Sequence, residues 1–410
     1  MRGRPNLYIS YEEEQRILPT MTQRAAMTLL VLVALSIPFK VVPGLKFLGE
    51  SSWLQILGLS FIFLIGSLGL NILTGLAGQV SLGHAFFMGV GAYTAAVLGG
   101  EATNAVYGFG LPMWVTLPAA GLVAAGIGIL VAPTAVRVRG LYLAIVTLGL
   151  VFIGQHIFRS WNSVAGVPEL GRDWGEFQFA LWSSDGPAIA LQSDGEWFGI
   201  SMLGEGKAYL FLLVLAIGFT LLAKNLTRTR IGRSFAAVRD RDIAAEVMGV
   251  NEVKAKTQAF AISSFYAGVA GALYGYFLGS VQLETWNLFF SVTFVAIILI
   301  GGAGTTAGVV LGTLFVETLP RIVENTTAFL ETQVLENGWL APIADFIIRT
   351  EGADFGLLST VNNGPGLSVA QMNGLLFGLL IAVFLIFEPL GLYGIWIRVR
   401  NYWKGWPFTY

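Results

Sequence analysis

The sequence contains no cysteine and only two histidines in 410 residues. Without cysteine the chain can form neither a disulfide nor a thiolate metal site. The two histidines, His84 and His156, lie far apart in the sequence, so they do not suggest a metal site either. We therefore expect no bound metal and no cofactor.

Charged residues are scarce as well. They make up 12% of the chain, against about 25% in a typical soluble protein. Hydrophobic residues make up 55%. This composition excludes an ordinary soluble domain and indicates a protein that crosses a membrane several times. Membrane lipid is an expected partner, and nucleic acid is not.

The chain also lacks the GxxxxGK[ST] loop with which many ATPases hold the phosphates of ATP. The stretch LGEGKA (203–208) has the wrong glycine spacing and no Ser or Thr at its end. The stretch GGAGTTAG (301–308) has no Lys and lies between apolar segments. We expect no catalytic residues and no ATPase site in this chain, so ATP-driven work would need another subunit.

Ten apolar segments approach the roughly 20 residues that a membrane-spanning helix needs. They are 25–42, 53–73, 80–98, 111–135, 141–158, 208–223, 258–278, 288–300, 307–319 and 371–390. They predict an all-α fold, a polytopic integral membrane helical bundle of about ten hydrophobic segments. The eighth is short enough to be a broken or re-entrant helix. If the ten segments divide into two halves of five, the odd number makes the second half enter the membrane from the opposite side. This division predicts an inverted-topology repeat.

Basic residues set the expected orientation, since Lys and Arg are enriched in cytoplasmic loops. They precede the first segment, follow the last, and occupy alternate connections, whereas the other long connections are acidic. The N-terminal stretch lacks the apolar core of a signal peptide. The expected organisation is a cytoplasmic tail at 1–24, a membrane domain at 25–390 with outer loops 160–207 and 321–370 and a cytoplasmic loop 224–256, and a cytoplasmic tail at 391–410.

The basic segment 224–256 holds the first candidate site. Its centre, IAAEVMG (243–249), is small and helix-forming; Asp242 is expected to cap this helix and Gly249 to end it. A compact helix held between spans suits docking to a partner, with charges that set the register. The alternative is a solvated loop helix without a partner. The candidate docking residues are Arg239, Asp240, Asp242, Ala244, Ala245, Glu246 and Gly249.

Polar side chains inside the apolar segments form the second candidate site. They are expensive in hydrocarbon, so they face protein or a water-filled path. His84 could hydrogen-bond a zwitterionic solute or cap a kinked helix. The candidate translocation residues are Asn71, Thr74, Gln79, Ser81, His84, Tyr93 and Thr147.

Four stretches together carry a family resemblance. NILTGLAGQVSLGHAFFMGVGAY (71–93), VRGLYLAIVTLGLVFI (138–153), IGRSFAAVRDRDIAAEVMGV (231–250) and IILIGGAGTTAGVVLG (297–312) resemble the LivM family, in the expected order. That family comprises permease subunits of ABC importers for branched-chain amino acids. The docking candidates also resemble the EAA motif of importer permeases, except that Ile243 stands where the motif has Glu.

The resemblance implies a set of partners and a location. The partners are a second, LivH-like permease subunit, two ABC ATPase subunits and an extracytoplasmic binding protein. The location is the bacterial cell inner membrane, and the basic residues at both ends of the chain put both termini in the cytoplasm. The acidic outer loops would be either a landing surface for the binding protein or interfacial loops. The implied substrates are leucine, isoleucine and valine. Urea or an amide is the alternative, and an ATP-independent secondary transporter is a competing function.

Overall fold

The structure is a computed structural model of the chain. It describes residues 21–103, 105–138, 140–166, 171–174, 177–180, 188–197, 200–335, 348–349, 358–359, 368–388 and 390–405. The expected N-terminal tail therefore lies almost entirely outside the described residues.

Helices dominate the described part of the chain. They are α1 Met21–Ser36, α2 Ser51–Leu70, α3 His84–Gly99, α4 Met113–Arg137, α5 Leu141–Ser160, α6 Asn162–Ala165, α7 Gly204–Leu226, α8 Arg230–Val247, α9 Glu252–Leu278, α10 Leu288–Gly301, α11 Thr306–Leu335, α12 Val369–Phe387 and α13 Gly391–Gly405. Each predicted apolar segment coincides with a helix. The prediction of a helical membrane protein is confirmed.

Several helices begin at a side-chain cap that the sequence supplies. The side chains of Thr229, Asn251 and Asn287 accept hydrogen bonds from the first turns of α8, α9 and α10. Ser368 forms a capping box with Gln371 at the start of α12. Each such cap satisfies a backbone donor that the helix itself leaves unpaired.

Seven described helices are long and apolar enough to span a membrane, and three apolar helices are shorter. The shorter helix α3 has 16 residues and α10 has 14. They are about 24 Å and 21 Å long, less than the roughly 30 Å of a hydrocarbon core. Ten complete crossings therefore remain a prediction.

The two halves repeat one order of helices. In the first half the long α2 is followed by the short α3 and by α4, which contains prolines. In the second half the long α9 is followed by the short α10 and by α11, which contains Pro320. Just as α9 packs against α3 and α4, α2 packs against α10 and α11. The two halves thus share a helix order and a packing pattern, and the five-plus-five inverted repeat stays a prediction.

The core forms around α9, which packs against α2, α3 and α4. At the crossing of α3 and α9, a Cβ added to Gly91 would overlap the carbonyl oxygen of Gly268. A Cβ added to Gly271 would overlap the carbonyl oxygen of Met88. The two backbones touch because these positions lack side chains, which is how helices associate closely in lipid.

A break separates α2 from α3. After Leu70 the chain forms one π-helical turn, Asn71–Leu76, and reaches α3 only at His84. The third span, predicted from residue 80, therefore starts later. Gln79 and Ser81 lie in the connecting loop instead of in a helix.

Short strands join the helices at the end opposite the basic segment. They are β1 Arg172–Asp173, β2 Gln178–Ala180, β3 Ala188–Ala190, β4 Gly195–Trp197, β5 Ile200–Met202, β6 Ser280–Val281, β7 Ile348–Arg349 and β8 Leu358–Ser359. The pairs β1–β6, β2–β3 and β4–β5 are antiparallel, and β7–β8 is parallel.

Arg172 ties this end together. Its guanidinium donates to the carbonyl oxygens of Val164 at 2.6 Å, Ala96 at 2.8 Å and Tyr107. Burial lowers the pKa of Arg172 from its ordinary value, while the nearby Tyr93 opposes that shift. The cation lies at the C-terminal turn of α3, where the helix dipole favours positive charge.

The ninth apolar segment extends further than expected. Predicted to end at residue 319, it continues as α11 to Leu335. The expected outer loop 321–370 thus begins inside a helix, and most of its remainder lies outside the described residues.

The helix crossing yields a stability prediction. In Gly271→Ala, the new methyl group has no room against Met88, so the backbones must separate. We expect a loss of about 1–3 kcal/mol in the free energy of unfolding. The measurement is thermal unfolding of the purified chain in detergent.

The matched control is Gly218→Ala in α7, where an added Cβ meets nothing within 4 Å. Alanine is the better helix former there, so the melting temperature should stay or rise. Equal melting temperatures for the two variants would contradict the close crossing.

Candidate functional site

The basic segment forms two helical arms joined by a break. Within α8, Arg241 has extended backbone angles, φ −157° and ψ 101°. The first arm covers residues 230–240 and the second 242–247. Asp242, expected to be the cap, lies in the first turn of the second arm, where its Oδ1 accepts from the N–H of Ile243 at 2.8 Å.

Gly249 ends the second arm, as predicted. Its φ of +87° is a left-handed conformation that glycine adopts without strain. The N–H of Gly249 donates to the carbonyl of Glu246, and the N–H of Val250 donates to that of Ala245, both at 2.9 Å. This pair of bonds is the Schellman motif, which satisfies the last carbonyls of a helix.

The second arm presents an apolar tip to solvent. The exposed fractions are 69% for Ile243, 82% for Val247 and 85% for Met248. Ala245 is only 5% exposed and packs into the bundle, whereas Ala244 is exposed. The two alanines therefore have different surroundings. Clustered apolar side chains at a polar surface mark a contact site for another molecule.

Arg239 links the basic segment to the membrane helices. Its Nη1 donates to the carbonyl oxygen of Gly75 in the π-helical turn at 2.8 Å. Its Nε donates to Oδ1 of Asp240 at 3.1 Å. The π-helical turn is joined in turn to the α10–α11 connection, because Asn71 Oδ1 accepts from the N–H of Gly304 at 2.7 Å.

Most candidate translocation residues surround the break between α2 and α3 and make internal hydrogen bonds. Thr74 Oγ1 donates to the carbonyl of Gln79 at 3.0 Å. Ser81 Oγ accepts from the N–H of Gly83 at 3.3 Å. Thr147 of α5 accepts from the N–H of Leu82 at 2.9 Å. The structure brings these residues together, and their role in translocation stays a prediction.

His84 and Tyr93 have different surroundings. His84 begins α3, and its ring centroid is 5.0 Å from that of Phe294. Tyr93 lies about 13 Å further along the same helix and packs against Phe158 and Trp286. Tyr93 therefore does not join the group at the break.

Three residues near these sites do not stand out in the sequence as site residues. Ser291 of α10 accepts from the N–H of Ala85 at 3.0 Å and so caps the first turn of α3. Lys256 and Glu252 form an ion pair of 2.6 Å in which both side chains are largely buried. Their i, i+4 spacing on α9 was a detectable signal, whereas the contact of Ser291 bridges distant parts of the chain.

A cavity of about 200 Å³ connects the two candidate sites. Its walls include Gln79 from the translocation group and Arg239, Asp240 and Asp242 from the docking group. No group of acidic and histidine side chains that could hold a metal ion occurs among the described residues.

Comparison with known proteins supports the resemblance. Residues 52–341 match the family model described as branched-chain amino acid transport system / permease component. The chain is 32% identical over 302 residues to the high-affinity branched-chain amino acid transport system permease protein LivM of Salmonella typhimurium, covering 71% of this chain and 66% of the relative.

Other relatives are also permease proteins of transport or import systems. LivM of Escherichia coli is 32% identical over 305 residues, covering 72% of this chain and 67% of the relative. The autoinducer 2 import system permease protein LsrC of an Enterobacter species is 28% identical over 233 residues, 56% of this chain and 60% of the relative. The chain thus spans about two thirds of the length of the LivM proteins. No solved structure gives a significant match.

The contact between Asn71 and Gly304 yields the second prediction. Asn71→Leu keeps the side-chain size and removes the acceptor for the Gly304 N–H. Leaving that donor unpaired should cost about 1–3 kcal/mol, measured as a lower melting temperature. Asn225→Leu, at an exposed position of α7, is the control and should melt like the wild type. A wild-type melting temperature for Asn71→Leu would show that the contact adds no stability.

Proposed function

This chain belongs to the family of permease components of branched-chain amino acid transport systems, and on that premise we propose that it is the membrane-spanning permease subunit of an ABC importer. The proposed substrates are leucine, isoleucine and valine. Urea or an amide is the alternative substrate class. The partners are two ATPase subunits, a second permease subunit and an extracytoplasmic binding protein.

The exposed apolar tip of the second arm is the observation that carries the ATPase proposal. Ile243, Val247 and Met248 project from a helix end that has no long side chain at Ala244 or Gly249. Such a tip fits a cleft in a partner, and the flanking Arg239, Asp240 and Glu246 would set its register. Burial of three apolar side chains gives the contact its affinity.

The proposed orientation puts the basic segment in the cytoplasm of a bacterial cell, where an ATPase is found. Positive charge flanks the spans on this side, and the strand-rich end with its acidic loops faces outward, toward the binding protein. The tails at 1–24 and 391–410 are then cytoplasmic.

The hydrogen bonds of Arg239 and Asn71 connect the basic segment to the membrane helices, so they can transmit a movement of the ATPase subunits to those helices. The second arm adjoins Arg239 across the break at Arg241, so a partner that displaces the whole basic segment also displaces Arg239, which holds the π-helical turn through Gly75. That turn holds the α10–α11 connection through Gly304. The docking helix therefore acts on both halves of the bundle, and the break after α2 is the element that can rearrange.

The docking proposal predicts the effect of charge at the tip. Val247→Arg and Met248→Arg each place a cation in the proposed apolar contact, so co-purification of the ATPase subunit should fall at least tenfold. Both side chains are exposed, so the chain should melt normally. The control is Ile231→Arg, at the opposite end of α8. Full ATPase recovery with both tip variants would refute docking at this tip.

A reconstitution experiment tests the transport reaction. The complete complex in vesicles should import radiolabelled leucine only with ATP and the binding protein. Import of urea with no import of leucine would favour the alternative substrate. Transport by the purified chain alone, driven by an ion gradient, would favour a secondary transporter instead.

A further inference from the structure

The cavity of about 200 Å³ lies beneath the first arm of α8. Its other walls come from the loop after the π-helical turn, the α4–α5 connection and the start of α9. It is therefore on the same side of the bundle as the proposed ATPase contact, at the end where an imported solute would leave. Its volume suits one molecule of about the size of leucine.

One polar group in the cavity wall lacks a partner. Gln79 is 5% exposed, and its side-chain Oε1 is buried without a hydrogen bond in the described part of the chain. The backbone of Gln79 is satisfied, because its N–H donates to Leu73 and its carbonyl accepts from Thr74. A buried polar atom without a partner is unfavourable, so a ligand that donates a hydrogen bond to this amide oxygen would gain binding free energy.

The charged groups of the cavity have both signs. Lys256 is 5% exposed and is held by Glu252 and by the carbonyl oxygen of Ala135 at the end of α4. Arg241 is exposed at the break and forms no ion pair with the described residues. Asp240, which is paired with Arg239, and Asp242 also line the cavity. A carboxylate accepts more than one hydrogen bond, so a ligand's ammonium group can share these carboxylates while its own carboxylate pairs with Arg241.

The remaining wall is apolar. Ala77, Ala135, Val138, Leu143 and Val238 contribute to the lining. An inorganic anion gains nothing from such a surface, whereas an aliphatic side chain is removed from water there. Opposite charges beside an apolar wall complement an amino acid with an aliphatic side chain.

We propose that this cavity is a cytoplasmic binding site for an aliphatic zwitterionic amino acid, through which the imported product slows its own import. The site rests on the proposed function, because the occupant is the transported solute and the orientation is the proposed one. The break at Arg241 forms part of the wall, so an occupied cavity favours one position of the second arm. A ligand that binds one arrangement more tightly shifts the population toward it.

A direct test measures binding of radiolabelled leucine to the purified full-length chain in lipid nanodiscs, without the binding protein. Wild type should bind saturably. Gln79→Met removes the unpaired amide oxygen, and Val138→Trp fills the cavity from its edge. Each should weaken binding at least about tenfold. Leu141→Trp is the control, because this exposed residue is outside the lining, and it should bind like wild type.

Competition experiments test whether the cavity recognises both the ammonium group and the carboxylate of the ligand. Isoamylamine lacks the carboxylate of leucine and 4-methylpentanoate lacks its ammonium group, so each should compete at least about tenfold more weakly than leucine. Competition by inorganic phosphate or 4-methylpentanoate as strong as that by leucine would overturn the proposal in favour of a simple anion site. A melting temperature for each variant checks that it is folded.

Regulation is tested with the complete complex in vesicles. The measured quantity is the initial rate of leucine import with leucine on the ATPase side, divided by the rate without it. This ratio should be several-fold below one for wild type and Leu141→Trp, and near one for Val138→Trp. Equal inhibition of all three, or no inhibition of wild type, would overturn the inference while leaving import established. Leucine binding by a complex that imports no leucine would instead refute the proposed substrate.

Discussion

The close crossing of α3 and α9 is the contact on which the rest of the structure depends. The missing side chains of Gly91 on α3 and of Gly271 on α9 let the two backbones touch, at Gly268 and at Met88 respectively. Lipid tails are as apolar as leucine, so burial from water does not hold helices together inside a bilayer, and close packing has to do so. With α9 held against α3 and α4, both its ends are positioned. One end continues from the basic segment, and the other leads to the strand that pairs with β1 beside Arg172.

The second constraint is the set of polar contacts at the break after α2. Backbone groups inside a membrane protein need partners, because no bulk water replaces them. Here the partners come from distant segments: Asn71 with Gly304, Arg239 with Gly75, and Thr147 with Leu82. An irregular stretch is thus tolerated between α2 and α3, and it joins the basic segment to the α10–α11 connection. The proposed docking tip and the proposed product site both depend on this junction.

Parts of the candidate sites were accessible to sequence reasoning because they are local. The helix around Ala244 and its end at Gly249 follow from neighbouring residue types. The break at Arg241 and the opposite environments of Ala244 and Ala245 did not follow, because they depend on what the arm packs against. The seven translocation candidates were chosen by polarity alone, and polarity does not distinguish Tyr93 in an aromatic cluster from Gln79 in a cavity wall.

The sequence by itself determined that this is a helical membrane protein with a basic segment between its apolar helices. A bilayer selects for apolar length and for the side of positive charge, and both are properties of residue types in order. Only the tertiary structure decided which glycines form the crossing and which polar groups meet. Asn71 and Gly304 are 233 positions apart, and Arg239 and Gly75 are 164. Contacts over such separations are set by the way the helices pack, which no local pattern of residues specifies.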